Sequence, residues 1–309
     1  MFADAFLPQY SRVSAFLKCQ SLSLPFAASG RNPGPDRMTD IADNTAQKTS
    51  KAFVLPAVDS DFLLSDSMRG VRFMLEYSKA EQTLKAWGIR STLVVFGSAR
   101  VHENGDPLHN RWYGTAREFG RIASERGGAV NRTDGFFDNV IATGGGPGIM
   151  EAANRGARDA GAPTIGFNIT LPHEQEPNAY TTPQLTFRFH YFAMRKMHLA
   201  MRANALVVFP GGFGTFDELF ELLTLTQTHK GTRIPVVLVD GEYWHKVINF
   251  DALADYGMIN REDINLVHFA ETAEEIWGYL ASENLGSHRN RDKARYGEGV
   301  LTRPSPVPE

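Results

Sequence analysis

The sequence predicts a doubly wound α/β domain, a parallel sheet covered by helices on both faces. Short apolar runs alternate with helical stretches from residue 92 to residue 283, and strands that alternate with helices pair in parallel through helical crossovers. The runs "LVVF", "ALVVF" and "PVVLV" are apolar without a break, as strands buried on both faces must be. Three of the strands end in small-residue turns, "FGSAR" (96–100), "TGGGPGIM" (143–150) and "FPGGFGT" (209–215). In open sheets of this kind the ligand crevice lies outside the carboxyl ends of the strands.

The elements follow in order. Residues 63–89 read as one or two helices, with Ser65 or Asp66 as cap and Val71, Met74, Leu75, Leu84 and Trp87 as apolar face. A strand (92–100) and a helix (110–126) come next, then a strand, a glycine-rich turn and a helix (139–161), and a strand (163–169). After a polar loop (170–184), 184–192 alternates as a strand does and 193–203 is helical. Strand, turn and helix recur at 205–231. Strands at 233–240 and 264–270 precede helices at 243–259 and 272–283. Residues 63–285 therefore read as one Rossmann-like domain with an N-terminal helical extension. Residues 1–62 read as a disordered tail, in which Met38 looks like the true translation start, and the polar, proline-containing segment 286–309 as a mobile tail.

A net charge of −3 provides no basic field for nucleic acid or acidic membranes. Cys19 is the only cysteine, which excludes an intramolecular disulfide and a cysteine metal cage. No apolar run approaches the roughly 18 residues of a bilayer span. The N-terminus lacks the basic start and apolar core of a secretory signal, though its serines and scattered Arg and Lys give it a faint transit-peptide character. The simplest expectation is a cytoplasmic protein without membrane or nucleic-acid partner.

The stretch "PGGFGTFDE" (210–218) has two readings. In one, its glycines allow a tight turn, and Thr215 and Glu218 form a capping box. In the other, Gly211, Gly212, Gly214 and Thr215 cradle a phosphate at a helix N-terminus, with Glu218 beside it. The dinucleotide fingerprint is absent: after Gly144 and Gly146 the third glycine position holds Ile149. An intact P-loop is also missing. In "MRKMHLAMR", Arg195, His198 and Arg202 share one helical side and Met194, Met197 and Met201 another. The plain reading puts the methionines in the core and His198 and Arg202 in water. Arg195 and Lys196 sit near the helix start, where cations oppose the helix dipole. No histidine spacing suggests a metal site.

Together these segments resemble the LONELY GUY family. "PGGFGTFDE" is similar to its PGG-x-GT-x-x-E signature, "MRK" to its Arg-Lys motif, and "FGSAR" and "TGGGPGIMEAA" to its first two loops. The resemblance spans roughly residues 90–270. It implies a phosphoribohydrolase that splits a nucleoside 5′-monophosphate, AMP or a cytokinin riboside monophosphate, into free base and ribose 5-phosphate without a cofactor. It implies Arg195 and Glu218 as the catalytic pair with Lys196 in support. It also implies phosphate contacts from Gly211, Gly212, Gly214 and Thr215, a crevice lined by Gly97, Ser98, Gly144 and Gly145, and a homodimer or larger homo-oligomer. The chain departs from the compact family form in its N-terminal extension, in "GGAVNRTDGFFD" (127–138) and in "LPHEQEPNAYTT" (171–182). Two rivals stay open: a nucleotide- or cofactor-binding module without catalysis, and a pyridoxal phosphate-dependent decarboxylase using Lys196.

Overall fold

The computed structural model describes residues 43–171, 176–228, 230, 233–283 and 285. The expected start at Met38 and the tail 286–309 lie outside the described residues. The chain divides into two units, Met1–Val58 and Asp59–Glu309. In the first, α1 (Thr45–Thr49) is followed by single helical turns at Lys51–Phe53 and Pro56–Val58. Short helical pieces thus occupy much of residues 43–62.

The second unit opens with α2 (Ser60–Leu64), capped by the Asp59 carboxylate, and α3 (Arg69–Ala86). Then β1 (Thr92–Phe96) leads to α4 (Pro107–Gly127), whose start is fixed by Asp106 accepting from the Leu108 and His109 N–H groups. β2 (Val140–Thr143) leads to α5 (Ile149–Asp159), followed by β3 (Ile165–Ile169) and β4 (Thr186–Phe189). α6 (Phe192–Met201) carries the chain to β5 (Ala203–Val208), and α7 (Phe213–Gln227) to β6 (Val236–Val239). α8 (Gly241–Val247), α9 (Phe250–Asp255), β7 (Val267–Ala270) and α10 (Ala273–Ser282) complete it. The long helix expected over 243–259 is two helices. Ile248 is extended (φ −132°, ψ 120°), and Asn249 caps the second by accepting from Ala252 N–H.

The seven strands are all parallel and ordered β4-β3-β2-β1-β5-β6-β7. Leu93 and Val95 of β1 pack with Phe119, Ile122 and Ile149 of α4 and α5 and with Ile276 of α10. Val94 and Phe96 belong to the opposite cluster, with Leu84, Leu199, Leu219 and Trp244. Side chains alternate across a strand, so each short apolar run fills both cores at once. The order reverses between β1 and β5, which makes the carboxyl ends of these two strands the topological switch point. Among the described residues no helix is long and apolar enough to cross a membrane.

The inner face of α3 is the expected apolar one only in part: Leu84 lies in the core and Trp87 packs against it, but Met74 and Leu75 do not. Met74 and Leu75 are 64% and 53% exposed, while Ala80, Glu81 and Leu84 are buried. Polar and aromatic contacts to α6 set the orientation instead. Arg72 Nε donates to the Tyr191 hydroxyl at 2.9 Å, Glu76 accepts from the His190 and Tyr191 N–H groups at 2.9 and 3.2 Å, and Phe73 meets the Tyr191 ring edge-on.

Candidate active site

The three small-residue turns meet at the switch point. Ser98 N–H donates to the Pro210 carbonyl at 3.0 Å, and the Ser98 carbonyl accepts from Ile149 N–H at 3.2 Å. The turns after β1, β2 and β5 are thus tied into one rim. Gly148 is required there: its φ is +73°, and a Cβ would lie 2.3 Å from the Ser98 carbonyl oxygen. Gly97 lies against the Ile149 side chain. Gly145 N–H donates to Thr143 Oγ1, and the Asn168 amide packs against its Cα.

α7 begins at Phe213, with Gly212 as its N-cap in an extended conformation. The capping-box reading therefore fails. Thr215 is the third helical residue and Glu218 lies further in, so they stand too deep to cap the helix start. Thr215 is buried against Gly211, where an added Cβ would come within 2.1 Å of Thr215 Oγ1. Gly212 and Gly214 face open space, and Phe213 between them is 94% exposed. The first N–H groups of a helix have no intrahelical partner. Here the Thr215 N–H turns back onto the Gly212 carbonyl at 2.9 Å, while the space beside Gly212 and Gly214 is open and the positive end of the helix dipole lies behind it.

Arg195 and Glu218 come together across this rim. Arg195 Nη2 donates to Glu218 Oε1 at 2.8 Å, and both side chains are buried. Arg195 also reaches the second turn, with Nη1 3.9 Å from where a Cβ on Gly144 would lie. Its guanidinium stacks over Phe192 at 5.2 Å, and its Nε has no partner. Lys196 pairs with Asp217 and Glu221 at 2.7 and 2.9 Å. Burial pushes the Glu218 carboxyl above the ordinary glutamate value, against the opposing pull of Arg195 and Lys196. Burial alone would lower the Lys196 ammonium, but Asp217 and Glu221 hold it above the usual lysine value.

The α6 face is the reverse of the sequence expectation for two residues. His198 and Arg202 are 1% and 4% exposed, whereas Met194, Met197 and Met201 are only half-buried. The reason is α3, which covers that side. His198 stacks on Tyr77 and packs among Phe167 and Phe189, and Arg202 Nη1 lies 2.8 Å from Glu81 Oε2. Burial, with Arg202 nearby, keeps the His198 ring below its usual value.

Sequence reasoning overlooked two residues at the rim. Asn178 donates from Nδ2 to the Gly146 carbonyl and from its backbone N–H to the Gly145 carbonyl, clamping the second turn. It lies in an irregular loop where no periodicity marks it. Tyr243 donates from its hydroxyl to the Gly211 carbonyl at 2.6 Å. The strand-to-cap pattern of "VDGEY" could have located its helix start but not this contact.

A family model described as "Possible lysine decarboxylase" matches residues 150–280. The cytokinin riboside 5′-monophosphate phosphoribohydrolase LOG2 of Arabidopsis thaliana is 25% identical over 141 residues, 45% of this chain and 65% of that protein. LOG4 of the same plant is 24% identical over 177 residues, 52% of this chain and 80% of that protein. LOG of Oryza sativa subsp. japonica is 27% identical over 164 residues, 51% and 66%. The chain spans just under two-thirds of the length of LOG2 and of the Oryza sativa LOG. Among solved structures, TM1055 is 25% identical with a TM-score of 0.44, covering 62% of this chain and 99% of that one. A molybdenum cofactor binding protein from Rippkaea orientalis is 18% identical with a TM-score of 0.41, covering 63% and 96%.

Proposed function

From its kinship with the LONELY GUY phosphoribohydrolases, we propose that this chain hydrolyses the N-glycosidic bond of a nucleoside 5′-monophosphate. The products are a free base and ribose 5-phosphate, and the substrates to test first are AMP and a cytokinin riboside monophosphate. The observation that carries this reading is the buried Arg195–Glu218 pair at a rim built from three glycine turns. A phosphate carrier would need the turns; the buried carboxylate beside them calls for chemistry.

In this reading the 5′-phosphate lies on Gly211, Gly212, Gly214 and Thr215 at the start of α7. The ribose and base extend along Gly97, Ser98, Gly144 and Gly145. As the bond from C1′ to the base breaks, the sugar gains oxocarbenium character, which the Glu218 carboxylate stabilises. Water attacks C1′, Glu218 takes its proton, and the electron pair of the broken bond leaves with the base, which takes up a proton from solvent as Glu218 returns its own to solvent. Arg195 orients Glu218 through its charged hydrogen bond, and its Nη1 lies on the side of the second glycine turn, where it would meet a substrate oxygen. Lys196, paired with Asp217 and Glu221 on either side of Glu218 in sequence, pulls the Glu218 pKa down. No step in this scheme calls for a metal or redox cofactor. The working form is a homodimer or larger homo-oligomer in the cytoplasm.

Lys196 does not suit the decarboxylase description. A Schiff-base lysine must give up its proton, and Asp217 and Glu221 hold this one as an ammonium.

The test is incubation of the purified protein with AMP, CMP, GMP and a cytokinin riboside monophosphate, with chromatographic detection of free base. Release is expected from at least one. Glu218→Gln and Arg195→Ala should each lower it by about 10²-fold or more. No release from any substrate, with ribose 5-phosphate still bound, would make the protein a binding module.

A further inference from the structure

Directly after β6, the N-cap of α8 is Asp240, a buried residue in a left-handed conformation (φ 71°, ψ 80°) that residues other than glycine rarely adopt. Three donors converge on its carboxylate. Arg111 Nη2 and Trp112 Nε1 donate to Oδ2 at 2.6 and 2.7 Å, and Tyr243 N–H donates to Oδ1 at 3.0 Å. Asp240 thereby joins α4 to the first turn of α8. The Tyr243 ring is held further by edge contacts to Trp112 and Trp244, with centroids 6.0 and 5.2 Å away. Its hydroxyl is left pointing at the Gly211 carbonyl, 2.6 Å away.

The Gly211–Gly212 peptide is consequently gripped from two sides. Tyr243 holds its oxygen, and Thr215 fills the space where a Cβ on Gly211 would lie. In a trans peptide the C=O and N–H vectors point in opposite directions. Fixing the Gly211 carbonyl on Tyr243 turns the Gly212 N–H the other way, and a Cβ on Gly212 would meet nothing within 4 Å.

We propose that Tyr243 is a positioning residue that presents the Gly212 N–H to the 5′-phosphate of the substrate. This rests on the phosphate-cradle reading of residues 211–215. The strained Asp240 and its three donors act as the brace that keeps the tyrosine in place.

Tyr243→Phe removes the hydroxyl and keeps the ring. Calorimetric titration with ribose 5-phosphate should show its Kd rising roughly five- to tenfold, the effect of one lost hydrogen bond. The KM of the nucleotide should rise in parallel, while kcat, adenine affinity and the urea midpoint stay near those of the unaltered protein. Asp240→Asn, which weakens the brace but spares the hydroxyl, should give a smaller loss of the same phosphate-selective kind. Unchanged ribose 5-phosphate affinity in Tyr243→Phe would overturn the proposal. So would equal losses for adenine and ribose 5-phosphate in either variant. Failure of the unaltered protein to bind ribose 5-phosphate would instead overturn the cradle reading, and the proposal with it.

Discussion

Glu218 is pulled in two directions. Burial favours its protonated form, while Arg195 and Lys196 favour the carboxylate, and burial prevails. A general base works only when ionised, so the acid limb of the kcat/KM profile should lie above the ordinary glutamate range. Lys196→Met removes one of the cations and should move that limb to still higher pH. A pH–rate profile reads this directly, and an unmoved or lowered limb would refute the assignment. Stability runs the opposite way. A carboxyl whose folded pKa is raised contributes stability that is full below its unfolded pKa and is lost as pH rises through the folded value. Glu218 therefore becomes competent as a base over the same pH window in which its burial turns costly. The residue was legible from the "PGGFGTFDE" spacing; its burial was not, because that depends on Arg195 arriving from a helix that precedes β5.

α6 owes its setting to α3, which grips it along its length. Glu76 and Arg72 hold the Tyr191 end, Tyr77 stacks on His198, and Glu81 meets Arg202 at the far end. Removing one partner of a buried ion pair strands the other charge, at about 3–5 kcal/mol. Glu81→Ala should lower unfolding stability by about that amount in urea titrations at neutral pH. Burial alone would raise the Glu81 carboxyl, but Arg202 and Lys85 together bring it below its usual value. Its contribution is thus present above the unfolded carboxyl pKa and lost as pH falls through the folded one, so the cost of Glu81→Ala should shrink in acid. Helical periodicity located α3 and placed Leu84 and Trp87 correctly, but misjudged Met74 and Leu75. Counting apolar residues selected Met74 and Leu75, whereas this contact is made by charges and rings. The same polar contact inverted the expectation for His198 and Arg202. By contrast, β1, β5 and β6 were legible at once, since a strand buried on both faces leaves an unbroken apolar run.

The sheet reverses its order between β1 and β5, so a ligand at the glycine rim touches elements from both halves. Ribose 5-phosphate binding should consequently stabilise the whole second unit. At about 100 times its Kd the gain is roughly 2.7 kcal/mol, and for a domain of this size each kcal/mol raises Tm by about 2–4 °C. A single cooperative transition that rises with ligand concentration is expected by calorimetry; no rise at high ligand concentration would mean that the folded protein does not bind ribose 5-phosphate, against the cradle reading. The parallel character of the sheet was legible from the alternation of strands and helices. The neighbours of each strand were not, because equally apolar runs are interchangeable until the crossovers and the packing of both faces select one order.

β1 lies at the centre, and its two neighbours come from distant parts of the chain. β2 (Val140–Thr143) covers one side, but the other waits for β5 (Ala203–Val208). As the polypeptide emerges from the ribosome, a largely apolar strand therefore carries an open hydrogen-bonding edge throughout synthesis of the intervening segment. Such an edge is a template for association with other nascent chains. The high contact order of the β1–β5 pair also slows its closure. The segment that brings the arginine to the crevice is the one that ends this exposure, so protecting the newborn sheet and delivering Arg195 are a single folding event, which the turn at 210–215 and Glu218 follow.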